Sequence, residues 1–258
     1  MIFSLIDKKL RKAFSDADMQ YDVLASLQKE IGRELVKKIE SLEDSRYILD
    51  AGMGTGWMTH RLSNLFPEAK VIGLDAAWGM IEQACKKYEG LRTTQADARQ
   101  LPFKKEIFDV VISNLAYQWM IDLEKAFAEV HHALKDNGVF CLTMFGRETL
   151  SELFTAIDAV EGKNFLIERL AGREEIENAL KKTNFCHVDI ETEMIKVHFP
   201  DMLALMKWLK DIGANILPKN GFIGKEVMFE ASEFYKKNFS DRLGIIATFE
   251  VIWIKTQK

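Results

Sequence analysis

Short apolar runs alternate with amphipathic segments in the first half of the chain. Apolar runs at residues 47–51, 71–74, 108–113 and 139–144, with a short segment at 91–95, have the length of buried strands. Apolar residues between them recur at helical spacing, as over 122–135, which Asp122 is placed to cap and Asp136-Asn137-Gly138 to end. Near-continuous apolar strands separated by helices predict an α/β fold with a doubly wound, mostly parallel sheet.

The pattern differs on both sides of this region. Residues 4–39 have helical spacing and predict an N-terminal helical arm, and helices are predicted again over 148–160, 173–182, 202–212 and 225–237. Strands are predicted over 187–198 and 245–254. We expect a single domain over 1–258, divided into an arm (1–45), a ligand-binding core (46–144) and a region of lid helices and last strands (145–258). Helical excursions of this kind often cover the open edge of a site.

A glycine-rich turn follows the first predicted strand. It carries Gly52, Gly54 and Gly56 after Asp50. A dinucleotide fingerprint requires a small residue at position 57, where the helix packs beside a pyrophosphate, and this chain has Trp57 there. No Gly-Lys-Ser/Thr follows, which excludes a P-loop. The turn therefore predicts an adenosine-containing ligand that has no phosphate to cradle.

Polar side chains stand where three of the predicted strands end. Asp75 follows Gly56 by 19 residues and can accept hydrogen bonds from both hydroxyls of a ribose. Asp97 can accept from an exocyclic amine such as that of adenine, and Asn114 ends the fourth strand. Each aspartate alone could be a helix cap or turn residue. Together they converge on the strand ends, where doubly wound sheets bind ligands.

Composition narrows the class of protein further. The chain has 258 residues, 48% hydrophobic and 29% charged, with a net charge of −4, so it can bury a core and is not a general polyanion binder. Its three cysteines and five histidines lack metal-ligand spacing. No run approaches the ~18 apolar residues of a membrane span, and the N-terminal charges have the wrong order for a signal peptide. We expect a cytoplasmic monomer without a metal, a nucleic-acid partner or a membrane partner.

The combined motifs resemble those of the class I S-adenosylmethionine-dependent methyltransferases. The matching segments are Leu49–Gly56, Gly73–Asp75, Ala96–Ala98 with Leu101–Phe103, Phe108–Asn114 and Leu134–Gly138. The resemblance implies a seven-stranded Rossmann-like sheet and S-adenosyl-L-methionine as cofactor. It also implies a set of cofactor-binding residues: Gly52 and Gly54 near the methionine moiety, Asp75 on the ribose, Ala76 and Met80 flanking the adenine, Asp97 and Ala98 recognising it, Asn114 near the methionine amino group, with Asp50 and Tyr21 completing the set.

Four further segments resemble the BioC-type malonyl-acyl carrier protein O-methyltransferases of biotin synthesis. They are Phe14–Gln28, Ser113–Trp119, Gly146–Leu153 and Leu205–Asn215. This resemblance implies methylation of the free carboxylate of a malonyl thioester on acyl carrier protein, an early step towards the pimeloyl chain of biotin. Tyr117 stands where a smaller residue is more common, and we expect it to reshape the pocket.

A carboxylate acceptor changes which side chains should be sought. It is already ionised at pH 7, so no general base is expected, and the enzyme has to bind and desolvate the anion. An arginine fork suits that task, with Arg147, Arg169 and Arg173 as candidates, although each could be a solvated surface charge. Tyr21 and Trp119 could wall the pocket, although Trp119 could equally be a core aromatic. The predicted positioning set is Tyr21, Trp119 and Arg147.

The acyl carrier protein in this reaction is itself a partner that the enzyme has to bind. An acidic carrier protein calls for a basic docking face, for which residues 1–14, Lys181, Lys182, Lys207 and Lys210 are candidates, unless they are only solvated charges. Two other functions stay open: methylation of a small free acid such as trans-aconitate, and cofactor binding without catalysis in an assembly factor.

Overall fold

The computed structural model describes residues 20–120, 122–161, 170–211 and 224–258, with side chains omitted at 20–26, 161, 210 and 211. In chain order the helices are α1 (Gln20–Lys37), α2 (Trp57–Leu65), α3 (Trp78–Lys87), α4 (Leu123–Ala133), α5 (Ser151–Glu161), α6 (Arg173–Lys182), α7 (Met202–Asp211) and α8 (Lys225–Asn238), with a 3₁₀ turn at Tyr117–Trp119. The strands are β1 (Tyr47–Ala51), β2 (Lys70–Asp75), β3 (Arg92–Gln95), β4 (Phe108–Asn114), β5 (Leu134–Phe145), β6 (Cys186–Phe199), β7 (Ser240–Asp241) and β8 (Gly244–Gln257).

The strands form one mixed sheet in the order β3-β2-β1-β4-β5-β8-β6, with β7 paired to β8. The pairs β1–β2, β1–β4, β2–β3 and β4–β5 are all parallel. The strand order reverses between β1 and β4, so their carboxyl ends flank the crevice where such sheets bind ligands. The predicted doubly wound, mostly parallel sheet is confirmed, and the short β7 adds an eighth strand to the expected seven.

The buried runs occupy the middle of the sheet. Burial is nearly complete along β1, β4 and β5 because helices cover both faces of these strands. Their side chains join the packed faces of α4 and α6 in one cluster that contains Leu49, Val111, Phe127, Phe140 and Leu180. This rigid centre fixes the strand ends that carry the candidate ligand-binding residues.

The chain divides into two compact units. One comprises Gln28–Phe145, Ala171–Thr192 and Ile252–Lys258, and it holds the parallel strands β1 to β5 with α2, α3, α4 and α6. The other comprises Met1–Leu27, Gly146–Leu170 and Glu193–Val251. Within the described part of the second unit, α5 packs against α8. Both units contain segments from several parts of the sequence.

Two local predictions are wrong. The turn Asp136–Gly138 does not end α4, which stops at Ala133; β5 begins at Leu134 and contains the turn as a bulge. Asn137 adopts a φ of 62° there, and a Cβ on Gly138 would lie 2.8 Å from the Lys135 carbonyl oxygen. This bulge uses the same residue types that end helices, because both require positive φ or a close approach.

The helical spacing of apolar residues also predicts that Leu65 in α2 and Met80 and Cys85 in α3 face the sheet, and this prediction is wrong. Leu65 and Met80 are 40% and 41% exposed, and Cys85 is exposed too. The buried positions are Met58, Thr59 and Leu62 in α2 and Ile81 and Ala84 in α3. Spacing alone therefore overestimated how much of each short helix faces the sheet.

Candidate active site

The glycine turn after β1 is held against the end of β2. The backbone amides of Gly52 and Met53 donate to the Leu74 carbonyl oxygen at 2.7 and 2.9 Å. Gly52 has a φ of 84°, and a Cβ there would lie 2.3 Å from the Ala116 Cβ, so only glycine fits. Gly54 has a φ of 52°, but a Cβ there would meet nothing within 4 Å. The backbone at Gly54 thus faces open space that a ligand can enter.

Asp75 ties this turn to the loop after β2. Its Oδ2 accepts from the Gly54 amide at 2.9 Å, and its Oδ1 accepts from the Ala77 amide at 2.8 Å. The next loop residue is fixed as well, because the Gln95 side-chain amide donates to the Ala76 carbonyl oxygen. A carboxylate has about four lone-pair sites. Asp75 is therefore rigidly oriented and retains acceptor capacity for two hydroxyls.

Asp50 is a fully buried carboxylate at the end of β1. One oxygen accepts from the Thr59 hydroxyl at 2.6 Å, whereas Oδ1 has no hydrogen-bond partner among the described residues. Burial raises the pKa of Asp50 to about 7, and the negative charge of Asp75 adds to the shift. A buried acceptor without a partner is costly, and it fits a site that a donor or cationic group completes.

The Asp97 carboxylate already accepts hydrogen bonds from Arg99, which the sequence did not suggest. The Arg99 side chain donates to both of its oxygens, with Nη2 2.6 Å from Oδ2, and the Arg99 amide donates to Oδ1. These bonds lower the pKa of Asp97. An exocyclic amine would share this carboxylate with the guanidinium. Ala98, the residue after Asp97, is buried, whereas Met80 is 41% exposed.

The Asn114 side chain joins three elements. Its Nδ2 donates to the Gln28 carbonyl oxygen in α1 at 2.9 Å, and its Oδ1 accepts from the Thr143 hydroxyl in β5 at 2.8 Å. Gly32 of α1 packs directly on it, because a Cβ there would lie 3.1 Å from Asn114 Nδ2 and 3.0 Å from the Trp57 ring. Asn114 thus anchors the arm helix at the candidate site, a structural role that was not predicted.

The two aromatic residues after β4 have opposite environments. Trp119 is 56% exposed, so the alternative that it is a core aromatic is wrong. Tyr117 is fully buried, and its ring stacks on Phe127 with a centroid separation of 5.8 Å. The expectation that Tyr117 reshapes the pocket is therefore wrong: its ring fills the core. Burial without a hydrogen-bond partner for the hydroxyl raises the pKa of Tyr117.

Only some of the remaining acceptor candidates lie among the described residues. Arg147 is exposed in the loop after β5, and Arg173 is exposed at the first position of α6. Tyr21 lies on α1, but its side chain is outside the described residues, as are Arg169 and residues 1–14. Lys181 and Lys182 are exposed and paired with Glu177 and Glu124 respectively.

Glu250 fixes the backbone around Arg147. The Gly146 amide donates to the Glu250 carbonyl oxygen, and the Glu148 amide donates to its carboxylate, both at 2.8 Å. Glu250 was not predicted as a functional residue, and neither were Thr59, Thr143 and Arg99. Only Arg99 could have been found from the sequence, because it stands two residues after the candidate Asp97. Thr59, Thr143 and Glu250 bond to partners that are 9, 29 and 102 residues away in the sequence.

Comparison with known proteins identifies the family. A family model described as "Methyltransferase domain" matches residues 48–138. The malonyl-[acyl-carrier protein] O-methyltransferase of Geobacter sulfurreducens is 33% identical over 96% of this chain and 98% of the relative. The chain belongs to the malonyl-[acyl-carrier protein] O-methyltransferase family.

A second curated relative supports the family, and a solved structure supports the fold. The "Biotin biosynthesis bifunctional protein BioHC" of Teredinibacter turnerae is 30% identical over 97% of this chain and 47% of that protein. The fold matches phosphoethanolamine N-methyltransferase 2 of Haemonchus contortus in complex with S-adenosyl-L-methionine, with a TM-score of 0.57, 21% identity and coverage of 88% and 52% of the two chains. The methyltransferase domain and the curated relatives confirm the predicted enzyme class, an S-adenosylmethionine-dependent O-methyltransferase.

Two features are absent from the described residues. No helix there is long and apolar enough to cross a membrane. No group of three or more His, Cys, Asp or Glu side chains in the described ranges could hold a metal ion.

Proposed function

We propose that this enzyme transfers a methyl group from S-adenosylmethionine to the free carboxylate of a malonyl thioester carried by an acyl carrier protein, in the early part of biotin synthesis. The observation that carries the proposal is similarity over nearly the full length of both chains to malonyl-[acyl-carrier protein] O-methyltransferases. The similarity extends through the arm and the C-terminal half, where acceptor specificity resides in this interpretation. The cytoplasmic location and the monomeric state remain predictions.

The residues around the glycine turn fit the cofactor. Gly54 leaves open space for the methionine moiety, and the oriented carboxylate of Asp75 suits the ribose hydroxyls. The unpartnered Oδ1 of Asp50 suits a cationic group, such as the methionine ammonium, directly or through a water. Ala76, Met80, Asp97 and Ala98 would surround the adenine. Bound there, S-adenosylmethionine supplies an activated methyl group on a positively charged sulfur.

The acceptor chemistry demands positioning instead of proton transfer. A carboxyl group with a pKa of about 4 is ionised at neutral pH, so no side chain has to remove a proton. The enzyme has to hold the anion, exclude water and align one oxygen with the methyl group. In this proposal the exposed Trp119 and the arm residue Tyr21 exclude water from the anion.

Arg147 is our first candidate for the carboxylate anchor. Its backbone is held on both sides by Glu250, so its exposed side chain extends from a fixed loop. The loop begins where β5 ends, and β5 runs parallel to β4, whose end carries Asn114. Arg147→Lys should raise the KM for the malonyl substrate, because an ammonium cannot form a planar bidentate pair with a carboxylate. Arg173→Lys is the matched control and should leave this KM unchanged.

The deciding experiment is incubation of purified enzyme with malonyl-acyl carrier protein and S-adenosylmethionine. Intact mass spectrometry should show the gain of one CH₂ unit on the carrier protein, and S-adenosylhomocysteine should form in equal amount. Faster turnover of free acids such as trans-aconitate would contradict the proposed acceptor. Cofactor binding by calorimetry, with no turnover of either acceptor, would contradict the proposed catalysis.

A further inference from the structure

A cleft of ≈ 400 Å³ lies between α1 and α2 and has no role in the chemistry described above. Six side chains line it: Arg33, Trp57, His60, Arg61, Asn64 and Leu65. All six belong to the same compact unit as the glycine turn. None is acidic, and Arg33 pairs with Glu30, so the positive charge of the α1–α2 cleft comes from Arg61, in a chain whose net charge is −4.

Arg61 is the unexplained member of this lining. Its Nε is buried and has no hydrogen-bond partner among the described residues. No carboxylate in the described part of the chain pairs with its guanidinium, whereas Lys181 and Lys182 each have one. A buried donor left unpaired is costly. The Arg61 side chain lines the cleft, where a carboxylate or phosphate oxygen can pair with its guanidinium group.

The neighbouring side chains are suited to a protein surface. The Arg33 guanidinium lies 5.6 Å from the centre of the Trp57 ring and also pairs with Glu30. Trp57 begins α2, and Leu65 in the last turn of the same helix is 40% exposed. Tryptophan and arginine are the residue types that dominate protein–protein binding energy. Their combination with one exposed leucine favours an acidic protein over a free anion.

The position of the cleft connects it to the methyl-transfer site. Trp57 follows Gly56 of the glycine turn directly and begins α2. At 1.5 Å per residue, Arg61 and Asn64 lie about 8 to 12 Å along the helix axis from Gly56. A protein bound in the cleft would therefore stand beside the turn that holds the methyl donor.

We propose that the α1–α2 cleft is the docking site for the acidic acyl carrier protein, with Arg61 pairing with one of its carboxylates. This inference rests on the proposed function, because it takes the malonyl thioester to be delivered on a carrier protein. It assigns docking to a surface different from residues 1–14 and the lysines of α6 and α7 that the sequence suggested.

The test compares two malonyl thioesters that differ only in the carrier. Initial rates are measured with malonyl-acyl carrier protein and with malonyl-coenzyme A for the wild type, Arg61→Glu, Arg61→Gln and the control Lys181→Glu. We expect Arg61→Glu to raise the KM for the carrier-protein substrate at least about tenfold, and Arg61→Gln to raise it less. Neither variant should change kcat or the KM for malonyl-coenzyme A, and Lys181→Glu should match the wild type.

Direct binding separates this proposal from the proposed function. Titration of malonyl-acyl carrier protein into the full-length enzyme with S-adenosylhomocysteine should give a Kd that rises with salt in the wild type and is weakened in Arg61→Glu. Loss of carrier-protein binding only in the Arg61 variants supports docking even if no methyl transfer occurs. Equal impairment with both thioesters, or no impairment with either, would overturn the docking site. A larger effect of Lys181→Glu would place docking on α6 instead.

Discussion

The buried carboxylate of Asp50 makes stability depend on pH in an unusual direction. Its pKa is 3.8 in the unfolded chain and about 7 in the folded protein, so the folded state binds the proton more tightly. Stability from this group is therefore present at low pH and lost as the pH rises from about 4 to about 7, by an amount on the order of 4 kcal/mol.

Asp50→Asn should remove this pH dependence. The free energy of unfolding, measured by urea titration from pH 4.5 to 8, should fall less steeply with rising pH in the variant than in the wild type. Asp109→Asn is the opposing control: the pKa of Asp109 is lowered in the fold, chiefly by hydrogen bonds from Lys135, Tyr47 and Arg46 that outweigh its burial. Its loss should remove stability at neutral pH and leave the Asp50 slope intact. Identical slopes in wild type and Asp50→Asn would contradict the assignment.

Gly52 and Gly54 should respond differently to the same change. Gly54→Ala places a methyl group in open space and adds only a left-handed backbone conformation, which costs about 1–2 kcal/mol. Gly52→Ala adds the same strain and a 2.3 Å approach to Ala116, so it should destabilise the fold by ~1–3 kcal/mol more.

The order is reversed for cofactor binding, where Gly54→Ala should have the larger effect. Gly54→Ala should fold but bind S-adenosylhomocysteine at least about tenfold more weakly by calorimetry, because its methyl group occupies the space assigned to the methionine moiety. Because Gly54→Ala should remain folded, weaker binding would not reflect a general loss of structure. Unchanged affinity in this variant would contradict the cofactor position.

At this scale the sequence predicted which residues stand at the site but not how they are engaged. The spacing of Asp50, Gly52, Gly54 and Asp75 located the turn because strand ends and glycines leave a local signal. The bonds from Thr59 to Asp50 and from Thr143 to Asn114 are contacts between distant elements. Such contacts depend on strand register and helix packing, which one sequence does not display.

Among the elements, α1 depends on close backbone contact at Gly32. Gly32→Val should destabilise the protein by about 1–3 kcal/mol, because the Cβ position is already 3.0 Å from Trp57 and 3.1 Å from Asn114. Gly79→Val in α3 is the matched control, since a Cβ there meets nothing within 4 Å, and it should change stability by no more than about 0.5 kcal/mol. Equal midpoints for both variants in urea would show that α1 does not pack tightly there.

Element boundaries were predictable where apolar runs are long and buried. The limits of β1 and α6 match the predicted ones, because each is bounded by polar or glycine residues. The predictions failed at Asp136–Gly138, where one turn signal serves either a helix end or a bulge. They also failed on α2, where Leu65 has the correct spacing but is exposed in the last turn. Only the packed structure distinguishes these cases.

For the whole molecule, the two compact units should respond unequally to the cofactor. All of the proposed cofactor contacts except Tyr21 belong to the unit that contains Gln28–Phe145. S-Adenosylhomocysteine at 100 times its Kd should stabilise the residues that unfold with its site by about 2.7 kcal/mol. Native-state hydrogen exchange should therefore slow in β1, in the glycine turn and in β2, and change much less in α5 and α8, where exchange occurs by local opening of the other unit. Gly54→Ala should lose the effect in β1 and β2. Equal slowing in α5 and α8 would mean that the chain unfolds as one cooperative body, so that cofactor binding stabilises both units by the same amount.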